Sequence, residues 1–190
     1  MRQKLIGILL IFCASFVLSS GLIPYLFNAP VSSQTPVEST LKSYIIPKRF
    51  SILLPRDLIP ENKIANDIDY FSFTNYKYEL AAGEAVPTEA IETEITFSQK
   101  NLEIILQTRL RQANQYNETV TNQGNLTIDG QEARRVWYAG GEWNFPNEIS
   151  SYIPYEDNQT VVISSYYSAD NPTAVDTIQR IHWSFRRLDL

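Results

Sequence analysis

The chain has 190 residues, 44% of them hydrophobic and 19% charged, with 16 Lys plus Arg against 21 Asp plus Glu and a formal net charge of -5. That acidic balance excludes a nucleic-acid footprint, because affinity for a phosphate backbone is supplied by clustered Lys and Arg. One Cys and one His exclude a Cys/His zinc site, a thiol relay and a disulfide framework, so neither a metal nor another cofactor is expected.

Arg2 and Lys4 precede Leu5 to Phe27, a run without a formal charge. At about 1.5 Å per helical residue it spans roughly 34 Å, enough for a hydrocarbon core of about 30 Å. Residues 1–27 therefore read as a signal peptide or membrane anchor, and the length favours an uncleaved anchor helix. Ser19 and Gly21 form one acceptable cleavage pair, Pro30 after Ala29 disfavours cutting there, and Phe12 before Cys13 breaks the lipoprotein pattern. The basic residues lie before the run, which keeps the N-terminus cytoplasmic and exports the remainder to a periplasmic, lumenal or extracellular space. Residues 28–42, with Ser32, Ser33, Thr35, Pro36, Ser39 and Thr40, form a polar spacer. Sequons at Asn117, Asn125 and Asn158 matter only in a eukaryotic secretory pathway, and the cysteine-free exported part favours a bacterial protein.

Residues 43–190 carry strand patterns interrupted by two helical ones. Tyr44 to Leu54 predicts a short hairpin with Phe50, Ile52 and Leu54 on one face, bounded by Pro47 and Pro55. Asp69 to Leu80 predicts a strand with Phe71 and Phe73 opposite Tyr70, Tyr76 and Tyr78, lying inside a sheet. Ala90 to Phe97 alternates Ile91, Thr93, Ile95 and Phe97 against Glu92 and Glu94. Ser98 then offers an N-cap for a helix to about Gln115, with Leu102, Ile105, Leu106 and Leu110 on its stripe. Val120 to Ile128 turns at Asp129-Gly130 into Gln131 to Ala139, because Asp-Gly supplies the positive φ angles of a type I′ turn. Ile149 to Tyr155 pairs with Thr160 to Tyr167, and Asn171-Pro172 opens a closing helix through Ala174, Val175, Ile178, Ile181 and Phe185. The fold class is α+β: a mostly antiparallel sheet of about seven strands flanked by two helices, behind the N-terminal signal-anchor helix.

Three patterns, FSILLPRDL at Phe50 to Leu58, TIDGQEARRVWY at Thr127 to Tyr138, and TVVISSYY followed by TAVDTIQRIHWSFRRL between Thr160 and Leu188, resemble the PsbP-like superfamily. That superfamily includes the extrinsic photosystem II subunit and bacterial lipoprotein relatives. The matching residues are core and turn residues, and the closing Ser-Phe pair is Ser184-Phe185 here. The resemblance implies the fold and a protein-binding role, and it carries no catalytic residue onto this chain.

Each candidate for chemistry has a plainer account beside it. His182, near the end of the closing helix, has no second His or Cys after Cys13, and reads as structural. Glu92 and Glu94 imitate the paired carboxylates of glycoside hydrolysis, but same-strand neighbours normally flank a solvated face. Glu156, Asp157 and Asn158 lack the spacing of a calcium loop and read as turn residues. The aromatic stretch around Gly140-Gly141 is the most informative: Trp137 lies in a strand pattern, whereas Trp143 and Phe145 fall in a loop and are candidate partner contacts. Arg134 and Arg135 project to opposite faces, so at least one should be exposed to an acidic partner.

The sequence thus predicts a non-enzymatic accessory or protein-docking module on the outer side of a bacterial membrane, including a cyanobacterial one. It contacts the membrane through the N-terminal helix and a protein through the Trp143 loop, with no nucleic acid. The alternative is an exported hydrolase acting on sugar or cell-wall material. A cleft where carboxylates converge would favour the hydrolase, and a shallow aromatic surface would favour docking.

Overall fold

The computed structural model describes residues 41–61, 70–76, 85–141 and 145–188. The expected anchor helix and Trp143 lie outside these residues. Among the described residues no helix is long and apolar enough to cross a membrane.

Among the described residues, ten strands and two helices follow in the order β1 (Leu41–Ile46), β2 (Phe50–Pro55), β3 (Ile59–Glu61), β4 (Tyr70–Thr74), β5 (Ile91–Ser98), α1 (Leu102–Gln115), β6 (Thr119–Ile128), β7 (Gln131–Ala139), β8 (Asn147–Pro154), β9 (Thr160–Tyr167), α2 (Ala174–Trp183) and β10 (Arg186–Arg187). Seven strands form an antiparallel sheet in the order β3-β4-β5-β9-β8-β7-β6, and a smaller sheet runs β1-β2-β10. The α+β class holds. The short β3 and β10 are additions that no alternating pattern announces, because a two- or three-residue strand carries no period.

The local turns follow their chemistry. Asp129 and Gly130 both adopt positive φ, 51° and 72°, which matches the right-handed twist of β6 and β7. Lys48 and Asn158 turn the hairpins β1-β2 and β8-β9 with φ of 61° each. Both helix starts differ from expectation. Ser98 is the last residue of β5, paired with Thr160, and Asn101 caps α1 instead, its Oδ1 accepting from Ile104 N at 3.0 Å. Asn171 accepts from Thr173 N at 3.2 Å in a turn before α2, whose N-cap is Thr173. An Asn side chain does the capping work in the first case because the sheet ladder claims Ser98.

Strand alternation gives the large sheet two different faces. On one, Phe73, Ile95, Ile163 and Ile153 pack with Phe50, Ile52 and Leu54 of β2 and with Ile181 and Phe185, forming a single core shared by both sheets. Phe50 stacks on Phe185 at 5.7 Å and meets Phe71 edge-on at 5.2 Å. On the other face, α1 buries Leu106 and Ala113 against Val136, Tyr138 and Tyr152.

Candidate functional site

The α1 face is where the alternation of β5 places Glu92 and Glu94. Glu92 pairs across the ladder with Tyr166 of β9, Tyr166 with Glu148 of β8, and Glu148 with Tyr138 of β7, so one rung of four strands carries Glu, Tyr, Glu and Tyr on the same side. The apolar stripe of α1 packs over β7, β8 and Val162, and between that helix and β5 lies a pocket of about 410 Å³. Arg109 and Gln112 line it from α1, Glu118 from the turn after the helix, and Tyr76 and Phe145 from two loops.

The acidic groups are held by named partners. Arg109 bridges two of them, its Nη2 2.5 Å from Glu148 Oε2 and its Nη1 2.5 Å from Glu118 Oε2, while its guanidinium lies 4.2 Å over the Tyr138 ring. Burial alone would pull the Arg109 pKa down, but Glu148 and Glu118 outweigh it and hold the pKa above its usual value. Glu148 Oε1 accepts from Ser150 Oγ at 2.5 Å. Glu94 accepts from Tyr70 through one oxygen and from Tyr166 at 3.2 Å through the other, and Glu92 accepts from Tyr76 at 3.0 Å. Burial pushes the Tyr138 phenol up to about 12, and burial together with Glu148 and Glu94 raises Tyr166 well above its usual range. These phenols are neutral donors at physiological pH. The expectation that Glu92 and Glu94 flank a solvated face is corrected here: α1 and the rung of tyrosines enclose them.

Phe145 is buried, 7% exposed, and meets Tyr76 edge-on at 5.5 Å. The loop that carries it is pinched at its base, where Gly140, at φ 86°, donates its N–H to Pro146 O at 2.8 Å. Trp143, between Gly141 and Phe145 in the sequence, lies outside the described residues. Trp137 packs against Ile149 and Ile178, as its strand position predicts.

Arg134 is half-buried and donates to Asn125 Oδ1 at 2.6 Å on the neighbouring strand. Arg135 faces the other way and is only 3% exposed, so it is a core residue rather than a surface one. Its Nε donates to Ser151 Oγ at 2.9 Å, its guanidinium lies 5.2 Å from the Trp183 ring, and burial pushes its pKa down to about 10. Beside it, His182 is fully buried, with Nδ1 2.9 Å from Ser151 Oγ and Nε2 3.0 Å from Ser165 Oγ. Ser165 in turn bonds Thr93 at 2.8 Å. Both ring nitrogens are satisfied by hydroxyls, which makes His182 structural. The turn at Glu156 to Asn158 is closed by Gln159 N donating to Glu156 O at 3.0 Å, and among the described residues no cluster could hold a metal ion.

Glu118, Glu148, Arg109 and Tyr166 were not singled out by the sequence, whereas Tyr138 belongs to the aromatic stretch before Gly140-Gly141. The signal for Glu148 and Tyr166 lies in the hairpin register, which places them opposite each other once the turn at 156–159 is fixed. No local pattern announces Arg109.

No family model and no curated protein matches this chain. Among solved structures, cyanobacterial PsbP from Synechocystis sp. PCC 6803 is similar over 84% of this chain and 99% of its own, with 13% identity and a TM-score of 0.54. A Pseudomonas aeruginosa protein of unknown function aligns over 76% of this chain and 94% of its own (10% identity, TM-score 0.45). A Bacteroides thetaiotaomicron protein aligns over 79% of this chain and 49% of its own (13% identity, TM-score 0.48). With the order of elements and the two-faced sheet already established, the first of these likenesses identifies the fold as PsbP-like.

Proposed function

We propose that the protein is a non-enzymatic binding module, held on the outer side of a bacterial membrane by its N-terminal segment, that receives a basic side chain of a partner protein in the pocket beneath α1. The pocket carries this reading. Its described lining combines four carboxylates and the guanidinium of Arg109 with tyrosine rings. Arg109 itself displays the chemistry on offer, a guanidinium stacked on Tyr138 and clamped between two carboxylates. Trp143 lies in sequence between Gly141 and Phe145, which both line the pocket, and is therefore the loop residue assigned to the same partner. Arg134, half-buried on the same sheet, is assigned to its acidic surface.

One observation favours the hydrolase instead: carboxylates converge in a concave pocket rather than on a shallow aromatic surface. Against it, both oxygens of Glu94 and both of Glu148 already accept hydrogen bonds from side chains. A general acid or base needs an oxygen aimed at the scissile bond or at water. The two readings are separated by placing a photo-crosslinker at Gln112 of the full chain in native membranes and assaying the same preparation for sugar release from cell-wall material. A crosslinked protein that disappears in Glu94→Gln, with no sugar release, supports binding. Sugar release abolished by Glu94→Gln establishes the hydrolase.

A further inference from the structure

We infer that the small sheet β1-β2-β10 is a docking surface for an anionic phospholipid bilayer, a contact separate from the pocket. The first observation is charge segregation. Residues 41–55 and 186–187, which make up this sheet and its turn, contain Lys42, Lys48, Arg49, Arg186 and Arg187 and no Asp or Glu, and Arg56 and Asp57 directly follow β2. The rest of the chain beyond residue 30 holds nine basic residues against all 21 acidic ones. A basic surface on a strongly acidic domain is oriented by the field of an anionic layer, which attracts one end and repels the other. Asp129, from the β6-β7 turn, offsets one charge by pairing with Arg187 at 3.0 Å. Lys48, Arg56 and Arg186 are exposed.

The second observation is what the outer face shows between those charges. Tyr44, Ile46, Phe50, Ile52 and Leu54 point into the shared core, so alternation turns Ile45 and Leu53 outward, 57% and 40% exposed. A solvated antiparallel face normally carries polar residues at such positions. Leu53 N donates to Ser184 Oγ, at the end of α2, at 2.8 Å, and the neighbouring Trp183 is 48% exposed. Arg49 lies 4.2 Å over the Phe97 ring, and Lys42 Nζ donates to Arg56 O and Leu58 O. The exposed apolar side chains therefore share this surface with Lys48, Arg56 and Arg186, a pairing that matches the headgroup region, where apolar groups enter and cations meet phosphate.

Lipid is chosen over an acidic protein because of where β1 stands in the chain. Only residues 28–40 separate the apolar run Leu5 to Phe27 from Leu41. A flexible linker of that length would have a root-mean-square span of roughly 20 Å. Given the membrane attachment proposed above, on which this choice rests, a bilayer would be the surface on offer at high effective concentration.

The test uses the full chain in a Cys13→Ser background, with Leu53→Cys carrying a polarity-sensitive fluorophore. It is reconstituted in vesicles of phosphatidylcholine alone or with about one third phosphatidylglycerol. With phosphatidylglycerol, the label should shift to the blue and be quenched by a headgroup-level nitroxide lipid. High salt should reverse both effects, and Lys48→Glu with Arg56→Glu should weaken the contact by about 10-fold or more. The same label at Ile104→Cys, on α1, should remain in water. A melting curve checks that the double variant is folded, and because salt acts on the unaltered domain, the claim does not depend on that variant. A label that stays in water on phosphatidylglycerol vesicles overturns the inference, as does equal quenching without anionic lipid. Protection seen only in native membranes would assign the face to an acidic protein and equally overturn it.

Discussion

One face of the seven-stranded sheet presents Phe73, Ile95, Ile153 and Ile163 to β2 and α2, while the opposite face of the same strands presents Glu92, Glu94, Glu148 and Tyr166 to α1 and a pocket. The first face is closed by two elements from opposite ends of the chain, β2 and α2 with β10, so it buries whole side chains. The second is covered by one helix, and Arg109 and the tyrosines supply what apolar packing does not. The contrast teaches that complete coverage leaves only a packed core whereas partial coverage leaves a concave polar surface, the kind of surface on which the proposed recognition depends. Substitutions on the two faces should therefore separate stability from binding.

The largest effect is expected on the closed face. Phe185 is fully buried and stacked on Phe50, so Phe185→Ala should cost about 3 to 5 kcal/mol in urea unfolding and leave pocket binding per folded molecule unchanged. A loss below about 1 kcal/mol would show that the shared core does not hold the two sheets together.

On the open face, Arg109→Met removes the counter-ion of Glu118 and Glu148, whose side chains are each 8% exposed. The expected loss is about 2 kcal/mol, below that of a fully buried pair because Arg109 is partly solvated. Arg109→Lys keeps a cation but loses the two-armed fork and the flat contact with Tyr138, so it should recover part of the loss. No recovery would mean that the loss is packing on Tyr138 alone.

What could be read in advance divides along the same line. The Asp129-Gly130 turn, the alternation of β5 and the stripe of α1 are local, and the structure returns them nearly unchanged. The pocket is not local: Glu92, Glu148 and Arg109 lie on β5, β8 and α1, and only the non-local pairing of β5 with β9 brings them together. Arg135 shows the same limit, since alternation gave the face it points to but not that α2 lies over that face. Phe145 sits in a loop as expected, yet Tyr76, from a distant segment, meets its ring.

The closed face contains one polar insertion with its own consequence. Burial, and then the neighbouring Arg135 charge, push the His182 pKa well below its usual value. The groups around the ring are Arg135 of β7, Ser151 of β8 and Ser165 of β9, with Thr93 of β5 behind Ser165. Above about pH 6.5 the ring is neutral in both states and its contribution is complete. Below that value the unfolded chain takes up a proton that the folded one refuses. Stability should fall by at most about 1.4 kcal/mol per pH unit between about pH 6.5 and 5. His182→Gln should abolish this slope while lowering stability at pH 7, and a slope that persists would place its origin elsewhere.

The smallest effect on stability is expected at the pocket rim, and it is the one that tests whether the pocket is built for binding. Tyr166 donates to Glu94 at 3.2 Å, a long hydrogen bond, and Glu94 keeps Tyr70 on its other oxygen when that donor is lost. Tyr166→Phe preserves the ring and removes only the hydroxyl, so the stability change should be about 0.5 to 1.5 kcal/mol. Binding should respond more strongly, because a carboxylate held by two phenols meets an incoming cation without reorienting, and releasing one of them restores that cost. Crosslinking from Gln112 in native membranes should therefore drop several-fold in Tyr166→Phe at a temperature where the domain remains folded. Equal crosslinking would mean that the Tyr-Glu rung serves only to join β5, β9 and β8, and the open face would then lose its claim to recognition.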